Sequence, residues 1–170
     1  MRLKLSLKKD SKKIWVGFTA IAILLSFSVI PTQEAAAHYV YRSAQLYWSG
    51  GDCVTGRSEV SHGSGNGYSR ADIEVTRYSG TYHESCGEPF SRPNGYIRER
   101  MALMYWTTQW NTCHDTGYLY NGKSASIFTV TRTYSNVCGG RNYDTQSWIH
   151  EYNGSWKGGI LWSGSHWLPI

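Results

Sequence analysis

Beyond position 37 the chain alternates between apolar or aromatic residues and polar ones in short runs, and turn-forming residues interrupt these runs about every ten positions. Alternation with a period of two is typical of a strand, and no segment here keeps its apolar residues at helical spacing. Residues 40–48, 58–61 and 71–78 are rich in β-branched and aromatic side chains and are predicted strands. The pattern therefore predicts an all-β chain.

Two Asn-Gly pairs, at residues 121–122 and 153–154, lie between such alternating runs. Asn-Gly favours a type I′ turn, because both central residues of that turn need a positive φ. The sequence therefore predicts antiparallel hairpins over residues 116–134 and 147–162, as parts of a meander.

Residues 96–110 are the stretch in which two patterns compete. Residues 101–104 are good helix formers, but apolar and polar side chains alternate around them. We predict a strand, with a helix as the alternative. Residues 63–67 carry glycine at every second position and are predicted to be a flexible turn, since the lysine and helix of a phosphate-binding loop are missing.

The N-terminal 37 residues have the layout of a secretory signal. Six Lys and Arg in residues 1–13 lead into an apolar run over residues 14–30, followed by Pro31 and the small residues 35–37. We predict cleavage after Ala37, with an uncleaved membrane anchor as the alternative. A leader this long and basic is typical of exported bacterial proteins. The expected product is one secreted, extracellular β domain, residues 38–170, with no membrane association.

Removal of this leader changes the charge of the protein. Residues 1–37 hold six of the 17 Lys and Arg and two of the 12 Asp and Glu, which leaves 11 basic and 10 acidic side chains. A nearly neutral domain lacks the basic surface that binding to phosphates requires. We therefore expect no nucleic-acid partner.

All four cysteines lie in the predicted domain, and no two of them form a Cys-x-x-Cys pair. An even number in an exported chain predicts two disulfides rather than a zinc site. Pairing of neighbours closes the shortest loops, which favours Cys53–Cys86 and Cys113–Cys138 over the two other connectivities. Each bond should stabilise the domain by about 3–4 kcal/mol. The predicted fold is a single antiparallel β-sandwich or barrel, stapled by two disulfides.

The predicted domain contains seven of the eight tryptophans and all thirteen tyrosines, but few aliphatic residues. We expect aromatic rings to supply much of the core. Residues 156–167, however, concentrate three tryptophans among glycines, where rings can stay accessible and stack on sugars. The expected partner is a cell-wall or extracellular polysaccharide, and the predicted ligand-binding residues are Trp156, Trp162, His166 and Trp167.

A protein target is the alternative. A disulfide-bonded domain with tight turns is also a suitable scaffold for a secreted inhibitor or an antibacterial toxin. The loops at residues 63–68 and 84–94 would then contact the partner. The sequence makes no prediction of oligomeric state.

Cleavage after Ala37 would make His38 the first residue, with a free α-amine beside its imidazole, and such nitrogen donors favour Cu(II). This position resembles that in lytic polysaccharide monooxygenases, whose mature N-terminal histidine shares copper with a second histidine. The resemblance implies a copper-dependent polysaccharide oxidase as a third hypothesis. His114 and His150 are available as the second ligand, but no spacing selects either, and we otherwise expect no cofactor.

No motif predicts a catalytic residue. Asp72 and Glu74 should share one face of a strand, which is common for a solvated surface. The nucleophile-elbow motif Gly-x-Ser-x-Gly fails at Ser64. A ribonuclease would need a Glu, an Arg and a His to converge, and the candidates are Glu99, Arg100 and His150.

Overall fold

The computed structural model describes residues 38–49, 51–63, 65–78 and 86–169, so the leader predicted for residues 1–37 lies outside the described residues. The described part contains eleven strands and no helix. In chain order they are β1 (Tyr39–Ser49), β2 (Asp52–Gly63), β3 (Asn66–Tyr78), β4 (Cys86–Pro89), β5 (Ile97–Trp106), β6 (Trp110–Asp115), β7 (Leu119–Tyr120), β8 (Ile127–Tyr134), β9 (Arg141–Tyr152), β10 (Trp156–Trp162) and β11 (His166–Leu168).

The strands form two antiparallel sheets. The first sheet has five strands in the order β1, β2, β3, β4, and its fifth strand, β8, also pairs with β3. The second sheet has six strands in the order β10, β9, β5, β6, with β7 beside β5 and β11 beside β9. Buried side chains of both sheets pack together between them. The predicted all-β fold is therefore confirmed, in the form of a sandwich.

Two apolar clusters fill the interior, because alternate residues of the long strands point inward. Among the buried core residues of the described part, Tyr143 is the one aromatic side chain. Other rings, such as Phe90 and Tyr105, pack at the margins. The expectation that rings supply much of the core is thereby corrected. The larger cluster is Val54, Ala71, Ile73, Val75, Ile97, Met101, Val130 and Ile149, and the smaller is Val60, Leu103, Tyr143 and Leu168.

Four small hydroxyl side chains lie between these clusters, and we call them the hydroxyl layer. Ser58 donates a hydrogen bond to the carbonyl of Thr145, and its hydroxyl lies 2.8 Å from that of Ser147. The hydroxyls of Ser69 and Thr145 are also 2.8 Å apart. The bonds join the first sheet to the second. They supply partners for polar groups whose burial alone would be costly.

A buried arginine connects the sheets at one end. Arg92, between β4 and β5, pairs with Asp52 of β2 at 2.8 Å and with Glu151 of β9. Asn153, in the turn after β9, also donates to Asp52. Burial raises the pKa of Glu151, and the hydrogen bond from Arg92 opposes that rise. We call Arg92 and its two carboxylate partners the arginine clamp.

Both disulfides follow the prediction: Cys53 is bonded to Cys86, and Cys113 to Cys138. Cystines of this kind are typical of proteins that fold in an oxidising, extracellular environment. None of the described residues belongs to a helix that is long and apolar enough to span a membrane.

Most predicted strands are confirmed. The runs 40–48, 58–61 and 71–78 fall within β1, β2 and β3, and the ambiguous stretch contains strand β5 rather than a helix. The hairpin over residues 147–162 is also confirmed, as β9 and β10. Its loop has three residues, since Tyr152 pairs with Trp156, and Gly154 takes a φ of 70°.

The hairpin predicted over residues 116–134 is wrong. Strand β7 pairs with β5 in the second sheet, whereas β8 pairs with β3 in the first. Asn121 explains the difference, because its side chain does not serve a tight turn. It accepts a hydrogen bond from the Ile97 amide and donates to the carbonyls of Pro93 and Lys123. These bonds fix a crossover from one sheet to the other.

Loss of the clamp arginine should destabilise the fold. Arg92→Met leaves Glu151 buried without a cation and leaves Asp52 with only the more distant Arg77, at 3.8 Å, and we expect the free energy of unfolding to fall by about 3–5 kcal/mol. Urea unfolding measures the change. Arg132→Met, at an exposed arginine of β8, is the matched control and should leave the free energy of unfolding nearly unchanged. Equal stability of the two variants would contradict the role of the clamp.

Candidate functional site

The outer side of the second sheet carries a surface of aromatic and arginine side chains. Ile97, Glu99 and Met101 are fully buried, so the alternate residues of β5 point outward. The corresponding residues of β9 and β10 are only partly buried. We call this surface the aromatic face, and its members are Arg98, Arg100, Trp106, Trp110, Tyr118, Tyr120, Trp148, His150, Tyr152, Trp156, Ile160 and Trp162.

Three tryptophans meet at one end of the aromatic face. The ring of Trp110 lies 5.3 Å from that of Trp106 and 5.9 Å from that of Trp162, measured between centroids. They come from β6, β5 and β10, and Trp106 remains 44% exposed. Strand pairing brings Trp106 opposite Trp110. We refer to these three rings as the tryptophan cluster.

An arginine lies between two rings at the other end. The guanidinium carbon of Arg98 is 4.1 Å from the ring centroid of Tyr118 and 3.9 Å from that of Trp156. Trp156 also contacts Tyr152 at 5.4 Å and Tyr120 at 6.1 Å. None of the ion pairs found among the described residues involves Arg98. This cation is held by rings and keeps its charge available.

The middle of the face holds a second arginine, which is neutralised. Arg100 lies over the ring of Trp148 at 4.5 Å and donates hydrogen bonds of 2.9 and 3.1 Å to Asp115. The bonds from Arg100 lower the pKa of Asp115. Burial, and then the charge of Arg98, lower the pKa of His150. Arg98 and Arg100 therefore differ in the charge that they offer to a ligand.

The predicted ligand-binding residues are divided by the structure. Trp162 belongs to the tryptophan cluster, and Trp156 lies at the far end of β10. Trp167 is 56% exposed and alternates with the buried Leu168, so it points to the outer side of the same sheet. His166 points the other way, toward His62, and is not part of the aromatic face.

Sequence analysis did not assign Trp106, Trp110, Trp148 or Arg98 to a site, and it considered Arg100 only for a ribonuclease. The alternation in residues 97–107 was a usable signal, because it places Arg98 and Arg100 on the side opposite to the core. No local signal could bring Trp110 to Trp162, since that contact depends on the order of strands in the sheet.

The histidines considered as copper ligands are also separated. His38 lies near His62, with ring centroids 6.0 Å apart. His114 instead stacks on Tyr134 at 4.7 Å, and His150 lies beside Tyr118 on the aromatic face. The structure thus groups His38 with a histidine that sequence analysis had not considered as a ligand.

A second candidate surface is an open depression of about 310 Å³ on the first sheet. Asp72 and Glu74 line it together, as their shared strand face predicts. Arg70, however, pairs with Asp72 at 3.0 Å, and Arg57 pairs with Glu59 at 2.6 Å. These ion pairs neutralise the two arginines that line this surface, whereas Arg98 of the aromatic face belongs to none of the ion pairs among the described residues.

The three residues considered for a ribonuclease do not converge. Glu99 points into the core and is fully buried, whereas Arg100 and His150 point outward. Neither carboxylate oxygen of Glu99 has a hydrogen-bond partner in the described structure. Burial, and next the charge of Asp72, raise its pKa well above the ordinary value. Glu99 is therefore an interior acid that prefers its neutral form.

The two loops considered for a protein target consist partly of strand. Gly63 and Asn66 pair across the β2–β3 turn. Within the described part of the second loop, residues 86–89 form β4, and Arg92 is buried in the arginine clamp.

No family model, curated protein or solved structure matches this chain. What the chain binds is therefore inferred from its own surfaces. Of these two surfaces, the aromatic face combines stacked rings with Arg98, a cation that has no ion-pair partner in the part of the chain that the structure describes.

The buried acid gives a pH dependence that can be measured. A carboxyl with a raised pKa binds more protons in the folded state, so stability falls as pH rises from the ordinary Glu pKa through the raised one. Glu99→Gln removes the carboxyl group and therefore its contribution to the pH dependence of stability. We expect the variant to match the wild type in Tm below pH 4 and to exceed it by several degrees at pH 8.

Thermal unfolding monitored by circular dichroism across this pH range tests the assignment. Glu88→Gln, at an exposed residue of β4, is the control and should follow the wild-type curve at every pH. A wild-type advantage at pH 8 would mean that Glu99 is stabilised as a carboxylate.

Proposed function

We propose that this protein binds an extracellular polysaccharide through the aromatic face. The observation that carries the proposal is the tryptophan cluster, three partly exposed rings from three strands on the outer side of one sheet. Sugar rings have apolar C–H faces that can stack on such rings, while a few polar groups select the hydroxyls. Rings held by a rigid sheet lose little conformational freedom when a ligand binds.

The dimensions of the face suit an extended chain of sugars. Trp156 and Trp162 stand at opposite ends of β10, about 20 Å apart at about 3.3 Å per residue. Gln146 of β9 lies between Trp162 and Ala102 in the strand register and is partly exposed, so the outer side of the sheet carries an amide beside the tryptophan cluster.

Arg98 favours an acidic polysaccharide over a neutral one. Its guanidinium is held between Tyr118 and Trp156. The side chain therefore loses little conformational entropy when a ligand binds. A planar guanidinium without a carboxylate partner matches a ligand carboxylate or phosphate in geometry and charge. We therefore expect uronic acids or phosphate groups in the preferred ligand.

A protein partner is the second candidate for the same face. Trp, Tyr and Arg are the residues that contribute most to the binding energy of protein interfaces, and the aromatic face is composed largely of these. Both candidates use the aromatic face, but the ligand is a protein in one case and a polysaccharide in the other. Retention on a purified polysaccharide distinguishes the two.

Sedimentation with insoluble polysaccharides tests the proposal. The purified protein is mixed with peptidoglycan carrying acidic polymers, with chitin and with cellulose, and the unbound fraction is measured against concentration. We expect binding to the acidic matrix, and Trp162→Ala or Trp110→Ala should weaken it at least about ten-fold, equivalent to about 1.4 kcal/mol.

Trp48→Ala is the matched control, because Trp48 is an exposed tryptophan, 54% accessible, on β1 of the first sheet. Its retention should equal that of the wild type. Arg98→Gln should reduce binding to the acidic matrix and leave any binding to cellulose unchanged. Loss of retention in Trp48→Ala but not in Trp162→Ala would move the site away from the aromatic face, and absence of retention on every matrix would favour a protein partner.

A further inference from the structure

Three histidines from distant parts of the sequence come together at one place in the fold. His38 precedes β1, His62 lies near the end of β2, and His166 begins β11. The ring of His62 is 6.0 Å from that of His38 and 5.2 Å from that of His166, measured between centroids. These rings do not belong to the aromatic face.

The His166 ring has one nitrogen that lacks a partner. Its Nε2 is buried and makes no hydrogen bond in the described structure. The same ring lies against the backbone of His38. Histidines that bind metals typically leave one ring nitrogen for the ion while a neighbouring backbone carbonyl or carboxylate holds the other.

No carboxylate competes with an ion for these rings. None of the ion pairs among the described residues includes any of the three. Metal binding requires neutral imidazole nitrogens, and rings without a carboxylate partner keep those nitrogens free for an ion.

We infer that His38, His62 and His166 together bind a divalent transition-metal ion that prefers nitrogen ligands, such as Cu(II) or Zn(II). Imidazoles that share a tetrahedral ion at about 2.0–2.1 Å from each nitrogen have ring centroids about 5 Å apart. The observed separations of 5.2 and 6.0 Å are close to this value. Nitrogen donors bind Cu(II) more tightly than Zn(II), and hard ions such as Mg(II) weakly.

The rings must turn for the ion to enter. In the described part of the chain, no group of three or more His, Cys, Asp or Glu side chains is already arranged to hold a metal ion. His38 is exposed and His62 is partly exposed, so both can rotate about their side-chain bonds, whereas His166 is held by the His38 backbone. Exposure of His38 also leaves a coordination position for water.

Titration of the untagged full-length protein tests the inference. Cu(II) and Zn(II) are added separately in competition with a chromophoric chelator, and Mg(II) is the ion control. We expect one equivalent of Cu(II) or Zn(II) to bind, and His62→Ala or His166→Ala to weaken binding at least about ten-fold. His150→Ala is the matched control and should bind as the wild type does.

Two further measurements separate loss of a ligand from loss of the fold. Each variant should keep the wild-type Tm in excess chelator. In the wild type, substoichiometric Cu(II) should broaden the nuclear magnetic resonance signals of the His38, His62 and His166 rings before those of His114 and His150. Absence of stoichiometric binding, or equal binding by wild type, His62→Ala and His166→Ala, would overturn the inference without affecting the polysaccharide proposal.

Discussion

The arginine clamp is the interaction on which the two-sheet arrangement depends most. Arg92 brings one positive charge against Asp52 of one sheet and Glu151 of the other, in an environment that excludes water. Such a group contributes little net stability compared with an apolar replacement, yet it cannot tolerate the loss of one member. Because Asp52 also holds Asn153, the clamp fixes the β9–β10 hairpin and thus the position of Trp156 beside Arg98.

The distribution of aromatic residues follows from the thin interior. Long side chains from two facing sheets meet over a distance of about 10 Å, and aliphatic residues with small hydroxyls fill it. Within the described residues no tryptophan is fully buried. Many of the rings that the core does not accommodate lie on the outer side of the second sheet, where Arg98 and Arg100 stack on two of them. The high content of aromatic residues, which predicted an aromatic core, therefore corresponds to an aromatic surface.

Features that depend on neighbouring residues could be predicted from the sequence. The strands follow from alternation, and the disulfides follow from the short loops between Cys53 and Cys86 and between Cys113 and Cys138. The failed hairpin shows the limit. Asn121 has the residue type of a tight turn, but its side-chain amide bonds the backbone of Ile97 and of Pro93, which come near it only in the folded chain. Local preference was overridden by distant contacts.

Only those parts of the candidate site that depend on neighbouring residues could be predicted from the sequence. Trp156 and Trp162 lie in a stretch whose composition marks it, whereas Trp110 and Arg98 become their neighbours through strand order alone. The grouping of His38, His62 and His166 depends in the same way on where three strands begin or end. The spacing of residues along the sequence does not predict such contacts between distant strands.

The hydroxyl layer has a consequence for how the two sheets align. If one sheet slid by a single side-chain step, Ser58 would lose its bond with Ser147 and Ser69 would lose its bond with Thr145. An interior made of interchangeable aliphatic groups would accept several such offsets at similar energy, whereas paired hydroxyls penalise all but one. These four small residues therefore determine the relative alignment of the two sheets. They contribute little to the free energy with which the sheets associate.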